Sequence, residues 1–166
     1  RIPMAILAII ILTALDQLVK HLISTNFQVG QTRKIIEGVF QLNYVQNRGA
    51  AWGSFSGKIV FLLAITFVIL LAAIYVYIRL AGNQEKKYTP LRISLVFLIS
   101  GAVGNMIDRV ARGYVVDMFD FCLINFPVFN VADIFVTCSF IVIVILVLFK
   151  YCLLYTSDAA DERSSV

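Results

Sequence analysis

The chain has 166 residues, 60% of them hydrophobic and 14% charged, with a mean hydropathy of +0.89 and a formal net charge of +4. Soluble domains carry roughly 45–50% apolar and about 25% charged residues, so this composition excludes an ordinary soluble domain and points to an integral membrane protein. No basic run is interleaved with aromatics, which argues against a nucleic-acid partner and leaves the positive charge to face lipid headgroups.

About 20 residues are needed to cross ~30 Å of hydrocarbon, and four apolar segments qualify as helical spans. The first, Ile2 to Ile23, is interrupted by Asp16 and Lys20, which share a helix face at i and i+4 and can pair there. It has no small-x-small cleavage site and reads as a retained span rather than a signal peptide. Because the chain starts at Arg1, a few residues are expected to precede it. From Ser24 to Lys58 the chain is polar. There Phe40, Leu42 and Tyr44 alternate with Gln41 and Asn43, the pattern of a half-buried strand, and Gly38, Gly49 and Gly53 punctuate it. A small extramembrane sheet resting on the membrane is predicted. The second span, Ile59 to Ile78, carries no charge. The loop from Ala81 to Pro90 has Arg79, Lys86, Lys87 and Arg92 in or beside it. The positive-inside rule therefore places it, and both termini, in the cytoplasm. The third span, Ile93 to Ile107, is short, but Pro90-Leu91-Arg92 can start it and Asp108 need not end it. The fourth, Val131 to Phe149, contains only Asp133. The expected fold is an all-α membrane protein of four transmembrane helices with a small extramembrane β element. Residues 1–150 form its single membrane-embedded domain, and 151–166 a polar tail that is disordered or foreign to the protein.

Gly104 to Asp133 joins the third span to the fourth and holds Asp108, Asp117, Asp120 and Asp133, four of the ten acidic residues. An ionisable group beside a span is costly and commonly has a function. Asp117 follows Val115-Val116, and Asp133 stands three residues into the next apolar run. Two carboxylates at opposite ends of one loop, both at the membrane boundary, suggest an aspartyl acid/base pair. One would be ionised to take a proton from water, the other protonated to polarise a carbonyl. With Asn130 as N-cap, Asp133 falls in the first helical turn, where the dipole favours an anion, so it is expected to be the ionised partner. Asn105, Asp108, Arg109 and Arg112 fall on one helix face, where the arginines can neutralise Asp108. Gly101 and Gly104 read as close helix-packing positions. Cys122, Cys138 and Cys152 are odd in number and lack CxxC spacing, so neither a disulfide framework nor a metal site is expected. An alternative reading, a proton-coupled small transporter relaying through Asp16, Asp108 and Asp133, has no inverted repeat to support it.

Four blocks carry a family likeness: Asp16-Gln17-Leu18-Val19-Lys20; Asn47-Arg48-Gly49-Ala50-Ala51-Trp52-Gly53; Gly104-Asn105-Met106-Ile107-Asp108-Arg109 with Gly113 and Val115-Val116-Asp117; and Phe129-Asn130-Val131-Ala132-Asp133. In this order and spacing, from the first span to about Lys150, the chain resembles lipoprotein signal peptidase (signal peptidase II), the bacterial membrane aspartyl protease. The resemblance implies that Asp117 and Asp133 are the catalytic aspartates. It makes Asn47, Gly49, Asn105, Asp108, Arg109 and Asn130 substrate-binding or site-bracing residues, and Asp16 and Lys20 a structural pair. It implies cleavage of prolipoproteins just before a cysteine carrying diacylglycerol, in the bacterial cytoplasmic membrane, with the active site toward its outer face. It also implies membrane lipids as partners, no metal or organic cofactor, and a monomer. Trp52 stands where phenylalanine is frequent in the family.

Overall fold

The computed structural model describes residues 1–49, 57–83 and 85–151. Its elements run α1 (Ile2–Asn26), β1 (Thr32–Ile36), β2 (Phe40–Asn47), α2 (Ile59–Ala81), α3 (Thr89–Arg112), β3 (Val115–Phe121) and α4 (Val131–Ile145), the last continued by a π-helical stretch, Leu146–Tyr151. All four helices are long and apolar enough to cross a membrane. α1, α2 and α3 extend the spans expected from sequence, and α4 with its π-helical continuation covers the fourth. α3 runs through Asp108 to Arg112 and stops at Gly113, whose φ of 75° suits a left-handed cap that other residues adopt at a cost.

α3 is the central helix and packs on α1, α2 and α4. It buries Leu91, Leu95, Ile99 and Ala102 against Leu70 and Ala73 of α2. The outer helices keep large apolar side chains exposed, such as Ile10, Leu71 and Phe140. That is the expected inversion when lipid, not water, is the surrounding solvent, since hydrocarbon carries no penalty for apolar contact. The predicted glycine contacts are present. A Cβ at Gly104 would lie 2.5 Å from Asp16 Oδ2, and one at Gly101 would meet the Ala132 carbonyl and Val136. α1 and α4 thus approach α3 where it lacks side chains.

The sheet order is β1-β2-β3, antiparallel throughout. The alternating stretch from Phe40 is β2, as expected. β3 is a correction: the sequence reading makes Val115–Phe121 part of a loop, yet it pairs along β2 with Asp117 opposite Val45. Its Val116 and Met118 are fully buried with Ile23 of α1 and Tyr44 of β2, which docks the sheet on the end of the first helix. The register shifts between Leu42 and Val45, an irregularity directly beside Asp117 of the kind that re-aims side chains. On its other edge β3 meets Phe129, whose N–H and carbonyl both bond the Phe119 backbone.

At the opposite end of the bundle, Arg92 is buried rather than lying among headgroups. It donates to the carbonyls of Leu80 and Asn83 and to Thr89 Oγ1, so it caps α2 and ties it to α3. Arg1 donates to the same Asn83 carbonyl. The start of α1 and the α2–α3 turn therefore share one end of the bundle, and the sheet occupies the other.

Candidate active site

Asp117 comes from β3 and Asp133 from the first turn of α4, and their side chains line the same cavity of about 400 Å³. Asn47, Asn105 and Arg109 complete its polar side. Phe121, Phe126, Phe129 and Ile134 form much of the apolar wall.

The local sequence explains how Asp133 is held. Asn130 adopts an extended N-cap conformation, and its Oδ1 accepts from the Asp133 N–H at 2.9 Å. Asp133 Oδ2 accepts in return from the Asn130 N–H at 3.1 Å. This reciprocal capping box satisfies two orphan donors at the helix start and leaves Asp133 Oδ1 facing Asn105, whose Nδ2 donates to it at 2.8 Å.

Asp117, 2% exposed, accepts from Asn130 Nδ2 at 2.7 Å on Oδ1 and from Asn47 Nδ2 at 2.9 Å on Oδ2. Asn130 therefore touches both carboxylates, one through its backbone and one through its side chain. Burial first, and the neighbouring Asp133 charge second, push the Asp117 carboxyl up to about 7; the bonds from Asn47 and Asn130 only partly offset them. A carboxyl in this state can still hold a proton near neutral pH, as the acid partner of an aspartyl pair must.

Beneath the cavity lies a second polar layer. Lys20 is fully buried and its Nζ donates to Asp16 Oδ2 at 2.9 Å, Asp108 Oδ2 at 3.2 Å and Asn105 Oδ1 at 2.9 Å. Asp16 Oδ1 accepts from the Ala132 N–H at 2.9 Å, and Asp108 Oδ2 from the Val116 N–H at 3.1 Å. Ala132 immediately precedes Asp133, and Val116 immediately precedes Asp117. Gln17, to which sequence reasoning gave no role, donates from Nε2 to Asp16, Asp108 and the Gly104 carbonyl. It lies between Asp16 and Lys20, but nothing in the sequence shows the two distant acceptors it bridges. Asp16 and Lys20 pair as expected, yet they are not a local feature of α1: the pair is bound to the backbone of both loop ends.

All ten residues singled out from sequence meet in this layer or the one above it. Arg109 differs from expectation in its partner. It donates from Nη2 to the Gly49 carbonyl at 3.2 Å instead of pairing with Asp108, whose arginine neighbour is Arg112 at 4.0 Å. Gly49 in turn donates its N–H to Asn47 Oδ1. The rest of that block, Ala50 to Gly53 with Trp52, lies outside the described residues, as does the tail from Cys152 to Val166.

The family model for signal peptidase (SPase) II matches residues 8–149. The lipoprotein signal peptidase of Streptococcus thermophilus (strain CNRZ 1066) is 43% identical over 149 residues, covering 90% of this chain and 92% of its own length. That of Lactococcus lactis subsp. lactis (strain IL1403) is 40% identical over 146 residues, covering 87% and 93%. A solved bacterial membrane enzyme, 34% identical, superimposes with a TM-score of 0.78 over 89% of this chain and 88% of its own. None of these relatives is a transporter, and the relay reading of Asp16, Asp108 and Asp133 has no support. With the match running through all four spans and the sheet between them, the chain belongs to the signal peptidase II family.

Proposed function

We propose that this protein is the aspartyl endopeptidase that removes signal peptides from prolipoproteins, with Asp117 and Asp133 as its dyad. The observation that carries the reading is that two carboxyls from separate elements are brought, with shared asparagine braces, into one cavity. Asp133, at a helix N-terminus with a donor on each oxygen, takes the base role and draws a proton from the attacking water. Asp117 carries the proton that polarises the scissile carbonyl and then passes to the leaving amine. Asn105 and Asn130 hold the carboxylates in place, and Arg109 with Asn47 and Gly49 fixes the strand end that borders the substrate. No metal or organic cofactor takes part.

The substrate is a prolipoprotein cleaved just before a diacylglyceryl cysteine, reached along the membrane by a monomer. The termini and the α2–α3 turn face the cytoplasm, and the sheet and cavity face outward. A second, apolar groove of about 960 Å³ runs between α3 and α4 and shares Ile134 and Cys138 with the cavity, which suits an apolar helix arriving from the bilayer.

The test is a gel-shift cleavage assay on a diacylglyceryl-modified prolipoprotein. Asp117→Asn and Asp133→Asn should each abolish cleavage while remaining inserted and folded, and the double variant should lose little more than either, since the pair acts as a unit. Substantial turnover by either single variant removes the dyad.

A further inference from the structure

Lys20 is fully enclosed, and all three of its N–H bonds are spent on different routes to the site. One goes to Asp16, which holds the backbone before Asp133; one to Asp108, which holds the backbone before Asp117; the third goes to Asn105 Oδ1. The third is the most telling. An ammonium only donates, so it forces the Asn105 carbonyl to face α1 and the Nδ2 group to face Asp133. Asn105 Oδ1 also receives Asn130 Nδ2, which is the group that reaches Asp117. Reversing the Asn105 amide would set its oxygen against the Asp133 carboxylate and its NH₂ against both Lys20 and Asn130.

We propose that Lys20 is the positioning residue of the dyad: by fixing the direction of the Asn105 amide and tethering both backbone supports, it sets the orientation of Asp117 and Asp133 for proton transfer. Because the effect runs through those two carboxylates, it rests on their being the reacting pair. Lys20 touches no substrate, for it is 0% exposed and does not line the cavity. Neutralising two buried acids would need only a positive charge nearby. It would not need the third bond to a neutral amide, nor a donor with tetrahedral reach. Arginine, with a planar fork, cannot make the same three contacts.

The experiment replaces an ion pair with a neutral pair. Lys20→Met combined with Asp16→Asn removes one cation and one anion together, and the introduced asparagine keeps an oxygen for the Ala132 N–H. Asp16→Asn alone, where Lys20 remains, isolates the cost of changing Asp16; the reference is the parent enzyme, whose net charge the double variant keeps. Relative to it, the double variant should lose kcat by about 100-fold, with KM within about threefold, as expected when orientation and not binding is lost. The acidic limb of its pH profile should shift as the asparagine donor to the dyad loses its fixed direction. The other charged groups facing the dyad, Asp108 and Arg109 of α3, are unchanged in both variants. If the double variant matches the parent or Asp16→Asn in kcat and pH profile, Lys20 is structural only. Should the double variant fail to fold, the parent enzyme decides. In ¹⁵N-asparagine-labelled protein, the Asn105 side-chain amide should give one set of signals that titrates with the acidic limb of activity. Two exchanging sets, or a signal indifferent to pH across that limb, overturns the proposal. Turnover by Asp117→Asn or Asp133→Asn would instead remove the dyad itself, a separate outcome.

Discussion

A carboxyl that ordinarily titrates near 3.8 and is pushed up to about 7 keeps its proton where most carboxylates have lost theirs, and in Asp117 burial is the main cause. In the proposed mechanism, cleavage should therefore fall on the alkaline side with an apparent midpoint near pH 7. That midpoint belongs to the coupled pair, and kcat/KM measured against pH checks it. The sign for stability follows from the same fact. The fold favours the neutral carboxyl, so its contribution is complete below about pH 4 and is lost as pH rises through 7, in total on the order of 4 kcal/mol. Asp117→Asn should remove this loss, melting at higher temperature than the parent at pH 8 and near it at pH 4 in the same detergent. At this scale the sequence was informative for the carboxylates and asparagines, because polar residues next to apolar runs stand out. It was silent on Gln17 and on the partners of Lys20. Asp108 lies far along the chain from Asp16 and Lys20, and a bond made only by folding leaves no spacing to read.

Among the elements, β3 was the one hidden. A strand announces itself by alternation when one face is wet, but here Val116 and Met118 are buried against α1 and β2 while Asp117 and Phe121 line the cavity. With both faces occupied, Val115–Phe121 reads as a mixed apolar and acidic run. Asp120 helps fix its register, accepting from Gln41 Nε2 at 2.7 Å and Asn43 Nδ2 at 3.1 Å. Asp120→Ala would take the shared acceptor from two half-buried amides and should cost about 0.5–1.5 kcal/mol, read as a lowered melting temperature. The helix contacts were legible through Gly101 and Gly104, and a matched pair of substitutions tests them. Gly104→Ala drives a methyl into Asp16 Oδ2 and should destabilise by about 1–3 kcal/mol with a drop in turnover. Gly82→Ala, in ordinary helical geometry with open space around it, should be neutral in the same thermal assay.

For the molecule as a whole, the four spans followed from hydropathy alone, since about 1.5 Å per residue across a fixed thickness leaves little freedom. Their arrangement did not: Gly101 and Gly104 mark close contacts on α3, but not which helices make them. In the proposed function the prolipoprotein arrives along the membrane, and its depth is set in the bilayer. Two acyl chains would contribute through ~0.8 kcal/mol for each buried CH₂. The same prolipoprotein with and without its diacylglyceryl group, compared in liposomes, should therefore differ strongly in turnover; equal rates would refute this account of specificity.

The bond from Asp16 to the Ala132 N–H joins positions 116 residues apart. A ribosome that has released three spans has made Lys20, Asp16 and Asp108, but not the helix that carries Asp133. During that interval the two charges of α1 have each other, i to i+4, but not the Ala132 N–H that Asp16 holds in the finished fold. The site cannot be assembled from the first three spans alone.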